Sequence, residues 1–344
     1  MATLASLPQA RAARGDIAAQ QGLAATEGLI LGALTEMGYA PTLEPIPWNL
    51  KKQEEFEARL RDEGRAVDSR AAPETTDELA SRTWHNIVVE LPGMELPREV
   101  LIVGAHIDAV PGSPGADDNG SGVAALLEAA RVLRGVPLRR TVRLVFFNLE
   151  EIGLHGSREH WRKQKARLAA PSDPAAPPAA ADPGETLVGM VSLEMLGFYS
   201  EAEGSQRSPI APIPGVFEPP TVGDFIAVAT IRKHSGFARQ WAEGMLRAAQ
   251  PAGPPLKVVV ADMFPVAPPD FLRSDHQPFL LGGQPALMLT DTSNFRNPHY
   301  HRATDTAATL DPDRYAATSR GVVGAIVAVA EPAGAPAPAM PPGE

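Results

Sequence analysis

Five separated stretches of this sequence each follow an apolar run with histidine or carboxylate. In "LIVGAHIDAV", His106 and Asp108 stand two residues apart at the end of an expected strand, so both face one side of it. A metal-binding imidazole usually has its second nitrogen fixed by a carboxylate, so Asp108 fits as an orienting group or as a ligand itself. A His and an Asp in a surface loop would look the same. In "PGADDNGSGVAALLE", Asp117 and Asp118 precede a helix start, where acids also serve as N-terminal caps. Their place in one strand-loop-helix unit with His106 favours chemistry over capping. "VFFNLEEIGLHGS" puts Glu150 and Glu151 side by side at a strand end, which calls for a nearby cation. One can bind metal while the other acts as a base. In "VSLEMLGF", Glu194 is flanked by Leu193 and Met195, and a lone buried charge there is costly without a partner. A buried salt bridge would satisfy it equally. "NFRNPHYHRATDT" sets His299 and His301 around Tyr300.

"FLRSDHQPFLLGG" supplies Ser274, Asp275 and His276, either as helix caps or as a substrate pocket. Adjacent Ser-Asp-His is no nucleophilic triad, because triads are assembled from separated segments. His85, His155, His160 and His234 fall on expected helical surfaces or loops and receive no function. "HGSREH" is not the His-Glu-x-x-His helix of a zincin.

Composition narrows the chemistry. The chain has no cysteine, so thiolate metal sites and disulfides are excluded and any metal must sit on His and carboxylates. Two histidines with three acids suit a two-zinc hydrolytic site in which one carboxylate bridges the ions. A net charge of -10 argues against nucleic acid or an anionic membrane as partner. No apolar run approaches the ~20 residues of a membrane span. "MATLASLPQARAARGDIAAQ" lacks the continuous apolar core of a signal peptide, which makes the cytoplasm the default expectation; a secreted or periplasmic protein would need a leader already removed. Nothing in the pattern specifies an oligomer.

The elements that must position these residues alternate between strand and helix. Residues 16 to 38 carry helical periodicity, and "YAPTLEPIPW" reads as a proline-interrupted edge strand. Residues 50 to 83 are expected as an exposed helical insertion with a mobile end. "NIVVELPG", "EVLIVGAHIDAV", "RTVRLVFFNLEEIG", "LVGMVSLEML", "DFIAVAT", "LKVVVAD" and "PALMLTDT" read as strands. "GSGVAALLEAARVLRGV", a basic surface helix "GSREHWRKQKARL", residues 234 to 250 and Pro312 to Val329 read as helices. Residues 170 to 184 are expected as a disordered Pro/Ala excursion and 331 to 344 as a disordered tail. The pattern implies one α/β domain over residues 1 to 330, with helices covering a mostly parallel sheet and ligands bound beyond the carboxyl ends of its strands.

Five motifs in this order, "GAHIDAV", "ADDNGSG", "NLEEIGLHGS", "SLEMLGF" and "NPHYHRATDT", resemble the zinc-dependent exopeptidases of metallopeptidase family 28, the aminopeptidases with two co-catalytic zincs. The resemblance covers about residues 84 to 315. It implies a three-layer α/β/α sandwich with a mixed, mostly parallel sheet, two Zn2+ per chain, and a peptide or amino-acyl substrate. By the same resemblance, His106 and Glu194 would hold one zinc, Glu151 and His301 the other, and Asp118 would bridge them. Glu150 would be the general base, Asp108 would orient His106, Tyr300 would steady the oxyanion, and Asp275 with His276 would belong to a pocket-forming loop. His299 would lie at a loop or pocket rim. Glu194 departs from the Asp of the best-known members by one methylene. "HIDAVPG" also resembles metallopeptidase family 20, whose chains carry an inserted dimerisation domain and lack the Tyr-His-x-x-x-Asp-Thr setting. The implied scaffold is shared by single-zinc glutaminyl cyclases and by non-catalytic receptor or structural domains; retention of Glu150 argues against the last.

Overall fold

The computed structural model describes residues 6–63, 73–168, 184–212, 218–248, 254–262 and 264–334. In chain order its main elements are α1 (Ile17–Glu36), β1 (Thr42–Pro45), α2 (Leu50–Asp62), α3 (Asp77–Ser81), β2 (His85–Leu91), β3 (Leu96–His106), α4 (Gly122–Leu133), β4 (Arg140–Phe147), α5 (His155–Leu168), β5 (Thr186–Glu194), β6 (Ile226–Ala229), α6 (Ser235–Ala248), β7 (Val258–Ala261), α7 (Gln277–Leu281), β8 (Ala286–Thr290) and α8 (Pro312–Ala330). All eight strands form one sheet in the order β1-β2-β4-β3-β5-β8-β6-β7. The central β4, β3, β5 and β8 run parallel, while β1, β2 and the β6–β8 pairing are antiparallel.

Strand β3 shows why the sheet has two covered faces. Its Leu101, Val103 and Ala105 join a core with α1, α4, α6 and α8, whereas Val100 and Ile102 pack on the opposite side with residues of α5 and α7. Alternation with period two splits one apolar run between two cores. Each fully buried Val, Leu or Ile contributes roughly 1.5–3 kcal/mol. The long helices are stopped by local chemistry. Asp16 caps α1 by accepting from Ala19 N (2.9 Å), and Gly38, at φ +82°, takes the turn beyond its end. Asp311 caps α8 by accepting from Asp313 N and Arg314 N.

Several expectations change. Helix α5 is not a free surface helix: Ser157, Glu159, His160 and Gln164 are buried, and His160 is bonded at Nδ1 to Glu44 (2.8 Å). His234 is buried as well. The insertion over residues 50 to 83 holds α2 and α3, which are largely exposed, while residues 64–72 of it lie outside the described residues. Of the expected Pro/Ala excursion over residues 170 to 184, all but Gly184 lie outside the described residues. The beginning of the expected tail is ordered: Glu331 accepts from Arg139 (2.9 Å) and Arg140, and Pro332 bridges Leu138. Residues 335–344 lie outside the described residues. Among the described residues no helix is long and apolar enough to cross a membrane.

Candidate metal centre

Because β3, β4, β5 and β8 run the same way, their carboxyl ends share one edge, and the sequence places an acid or histidine at or just past the end of each of the first three. The turns are sharp. Leu149 (φ 61°), Met195 (φ 53°) and His301 (φ 58°) all adopt a left-handed backbone, which non-glycine residues rarely do and which costs ~1–3 kcal/mol each. These residues are next to, or are themselves, the candidate ligands.

The side chains meet in two groups joined by Asp118. Nε2 of His106 lies 3.3 Å from Asp118 Oδ1 and 3.5 Å from Glu194 Oε2. Nε2 of His301 lies 3.0 Å from Asp118 Oδ2 and 3.3 Å from Glu151 Oε2. Donor atoms of His106, Glu150 and Glu194, and separately of His106, Asp118 and Glu151, lie within 4.8 Å of one another. Asp118 therefore offers one oxygen to each histidine.

The electrostatics show what this arrangement calls for. The Nδ1–H of His106 donates to the carbonyl of Asp108 (3.1 Å), which turns Nε2 toward the carboxylate oxygens of Asp118 and Glu194. Buried Oε1 of Glu151 has no hydrogen-bond partner. Lone pairs facing lone pairs in a dry site call for a cation, and an all-N/O donor set suits zinc. The titration pattern agrees. Burial alone would lower His106, but Glu194 and Glu150 outweigh it and hold the imidazole well above its usual range. Burial also opposes protonation of His301, while Asp118 and Glu151 bring it to about 10. Burial, with Asp118 beside it, pushes Glu151 up to about 7. Burial raises Glu150 well above the carboxylate range; His106 opposes the rise, and Glu151, Glu194 and Asp275 add to it. Acids crowded in a dry site drive these four groups toward the form that adds positive charge or removes negative charge, while the two imidazoles hold Asp118 below the usual carboxylate range.

Behind this set, two carboxylates clamp the backbones that carry it. Asp108 Oδ1 and Oδ2 accept from the amides of Glu150 and Glu151 (both 3.1 Å). Asp108 also meets His106, through its carbonyl at 3.1 Å from Nδ1 and with its carboxylate at 3.6 Å, so one residue touches the imidazole and holds the Glu-Glu turn. Asp305, of the "ATDT" stretch, likewise accepts from the amides of Asp117 (3.0 Å) and Asp118 (3.1 Å). Asp117 faces away from the histidines and accepts from Gly197 N and Asn297 Nδ2. Asn119 reaches across to the end of β5, donating to Leu193 O (2.7 Å) and accepting from Met195 N (3.1 Å). A Cβ on Gly122 would sit 2.8 Å from Leu193 O, so only glycine lets α4 approach β5 this closely.

Sequence reading missed Arg11. Its guanidinium is buried and donates to Ile107 O (2.9 Å), Pro114 O (2.6 Å) and Gly115 O (2.8 Å), tying the end of β3 to the turn before Asp118. An arginine in an apparently unstructured leader carries no signal of this kind. Asp275 and His276 do not line the cavity as expected. Both are buried; His276 donates from Nε2 to Phe271 O, and both carboxylate oxygens of Asp275 lack a hydrogen-bond partner. Their neighbour Ser274 is the one that reaches the site, donating to Glu194 Oε2 (2.6 Å). His299 bonds Thr304 through Nδ1 (2.9 Å) and stays outside the cluster.

A cavity of about 520 Å³ opens over His106, Asp118, Glu150, Glu151, Glu194 and His301, with apolar walls that include Phe225, Phe271 and Met288. Tyr300 is on its wall, stacked on His301 at 3.7 Å, and its hydroxyl accepts from Arg273 Nη2 (2.9 Å).

The family model described as Peptidase family M28 matches residues 86–212 and 224–326. An Escherichia coli (strain K12) relative, "Uncharacterized protein YfbL", is 32% identical over 249 residues, 70% of this chain and 69% of that one. "Aminopeptidase YwaD" of Bacillus subtilis (strain 168) is 43% identical over 84 residues, which make up 23% of this chain but only 18% of that protein. Among solved structures, an aminopeptidase from Aneurinibacillus sp. strain AM-1 superposes with a TM-score of 0.61 over 96% of this chain and 93% of its own; at 18% identity it speaks for the fold.

Proposed function

The chain belongs to Peptidase family M28, and from that premise we propose that it is a zinc-dependent aminopeptidase whose centre takes two zinc ions. His106 and Glu194 would hold one ion, His301 and Glu151 the other, with Asp118 shared. The observation that carries this reading is the division of the Asp118 carboxylate, one oxygen toward each imidazole. The names of relatives such as the Bacillus subtilis aminopeptidase support the activity. Residues 1 to 330 would act as one catalytic unit.

When bound, the ions would polarise the scissile carbonyl and make water acidic enough to react near neutral pH. Glu150 would take the proton of the attacking water and return it to the leaving amine. Its raised affinity for protons suits that task, and the Asp108 clamp on its amide fixes where the carboxylate stands. Tyr300 would donate its hydroxyl hydrogen to the developing oxyanion. Arg273 fills a lone pair of that hydroxyl and so leaves the hydrogen free to point at substrate. The apolar walls would exclude water and seat an uncharged side chain.

Metal analysis combined with a leucine-nitroanilide assay tests the proposal. Wild-type protein should hold two zinc ions per chain and hydrolyse the substrate. Glu150→Gln should keep the zinc and lose activity by roughly 10²–10⁴-fold. Near-normal turnover in Glu150→Gln would overturn the base assignment, and zinc-loaded protein inert toward every peptide would overturn the activity.

A further inference from the structure

The cavity is lined by two guanidinium groups, of Arg207 and Arg273, that neither metal holding nor proton transfer uses. Arg273 donates from Nη1 to Asn294 Oδ1 (2.9 Å) and from Nη2 to Tyr300 OH (2.9 Å). Arg207 donates from Nη2 to the carbonyl of the same Asn294, so both arginines converge on one residue of the rim. Two acids in the cavity lining have arginine partners: Asp262 accepts from Arg239, and half-buried Asp270 lies 3.5 Å from Arg273. A guanidinium has five N–H donors. Among the described residues, the Nε–H and one Nη2–H of Arg273 have no hydrogen-bond acceptor, and both arginines line the cavity.

We propose that Arg273, seconded by Arg207, binds the terminal carboxylate of the residue being released, so that this enzyme's preferred substrates are short peptides with a free carboxyl end next to the cleaved bond, dipeptides foremost. The inference rests on the peptidase reading of the same site. The spacing fits. One extended residue spans ~3.3–3.6 Å, which sets the terminal carboxyl carbon about that far from the scissile carbonyl. Arg273 Nη2 lies 2.9 Å from the Tyr300 hydroxyl, the group that would meet the scissile oxygen. A carboxylate bridging that span would come within the ~2.7–2.9 Å of a charge-assisted bond to the guanidinium.

The decisive measurement is binding, with chemistry switched off. Zinc-loaded Glu150→Gln protein is titrated calorimetrically with Leu-Phe and with Leu-Phe amide. The free acid should bind roughly tenfold or more tightly than the amide. Adding Arg273→Gln should bring the two Kd values together, and Arg273→Lys should restore part of the difference, because a point charge replaces the planar fork. Equal affinities, or a preference that survives Arg273→Gln, would overturn the proposal. If the binding preference holds while wild-type protein hydrolyses neither peptide, carboxylate recognition stands and the peptidase reading falls. In active wild-type enzyme, the preference should show in KM more than in kcat.

Discussion

Replacing Asp305 by Asn tests whether the site is positioned through its backbone. Asp305 is fully buried, and its two oxygens each accept one amide, from Asp117 at 3.0 Å and Asp118 at 3.1 Å. Asparagine keeps one acceptor and turns an NH2 toward the other amide. One charge-assisted hydrogen bond is lost and a buried donor is left unmet, a cost of about 2–4 kcal/mol together. That should lower Tm by roughly 5 °C or more. The informative effect is on metal. Asp118 is the carboxylate placed between both imidazoles, and releasing its amide lets it drift. Loss of an outer partner of a metal ligand typically weakens affinity by ~10–100-fold. Zinc affinity would be measured by competition with a chelator of known strength, alongside thermal unfolding of the metal-free protein. A fall in Tm with zinc affinity unchanged within twofold would refute the reasoning, because the clamp would then serve the fold without placing Asp118.

Three further outcomes are expected. Tyr300→Phe should lower kcat by about 10²-fold while leaving zinc content and KM close to wild type, as removal of one oxyanion donor does; an unchanged kcat would exclude the hydroxyl from catalysis. Arg11→Met should lower Tm by several degrees and Arg11→Lys should not rescue it, since four carbonyls in different directions need the planar fork; full rescue by lysine would mean that charge alone suffices. Burial pushes His276 down to about 4, with only the Phe271 carbonyl opposing, so the unfolded chain binds this proton more readily than the native one between pH ~6.5 and ~4. Its contribution is complete above pH ~6.5 and lost as pH falls toward 4, by at most about 3 kcal/mol. In His276→Phe, urea unfolding across that range should show a shallower pH dependence, and an unaltered slope would refute the assignment.

Much of the site was legible in the residues. The apolar runs of β3, β4 and β5 each end on an acid or histidine, and period-two alternation with parallel order suffices to bring those ends to one edge. His106, Asp118, Glu150, Glu151, Glu194 and His301 all line one cavity. What stayed hidden was the support. Asp108 and Asp305 act on backbone amides 42 and 188 positions away, and Arg11 acts on carbonyls, so none of their partners has a side-chain signature to search for. For Asp275 and His276 the sequence left helix capping and a substrate pocket open; Phe279 and Leu280 draw the following helix into the core and bury both residues with it.

The Asp305 clamp also ties the birth of the site to the order of synthesis. His106, Asp118, Glu150, Glu151 and Glu194 all emerge long before residue 305, and closing a loop of 188 residues is an entropic step that local pairing cannot replace. Until that loop closes, the nascent chain carries a cluster of unneutralised acids on a sheet whose last partner strand, β8, is also late. The second imidazole beside Asp118 and the clamp on the Asp118 amide therefore come last, after every other residue of the cluster. A ribosome-bound or proteolytically shortened fragment that stops before them would hold the acids and His106 of the site without either.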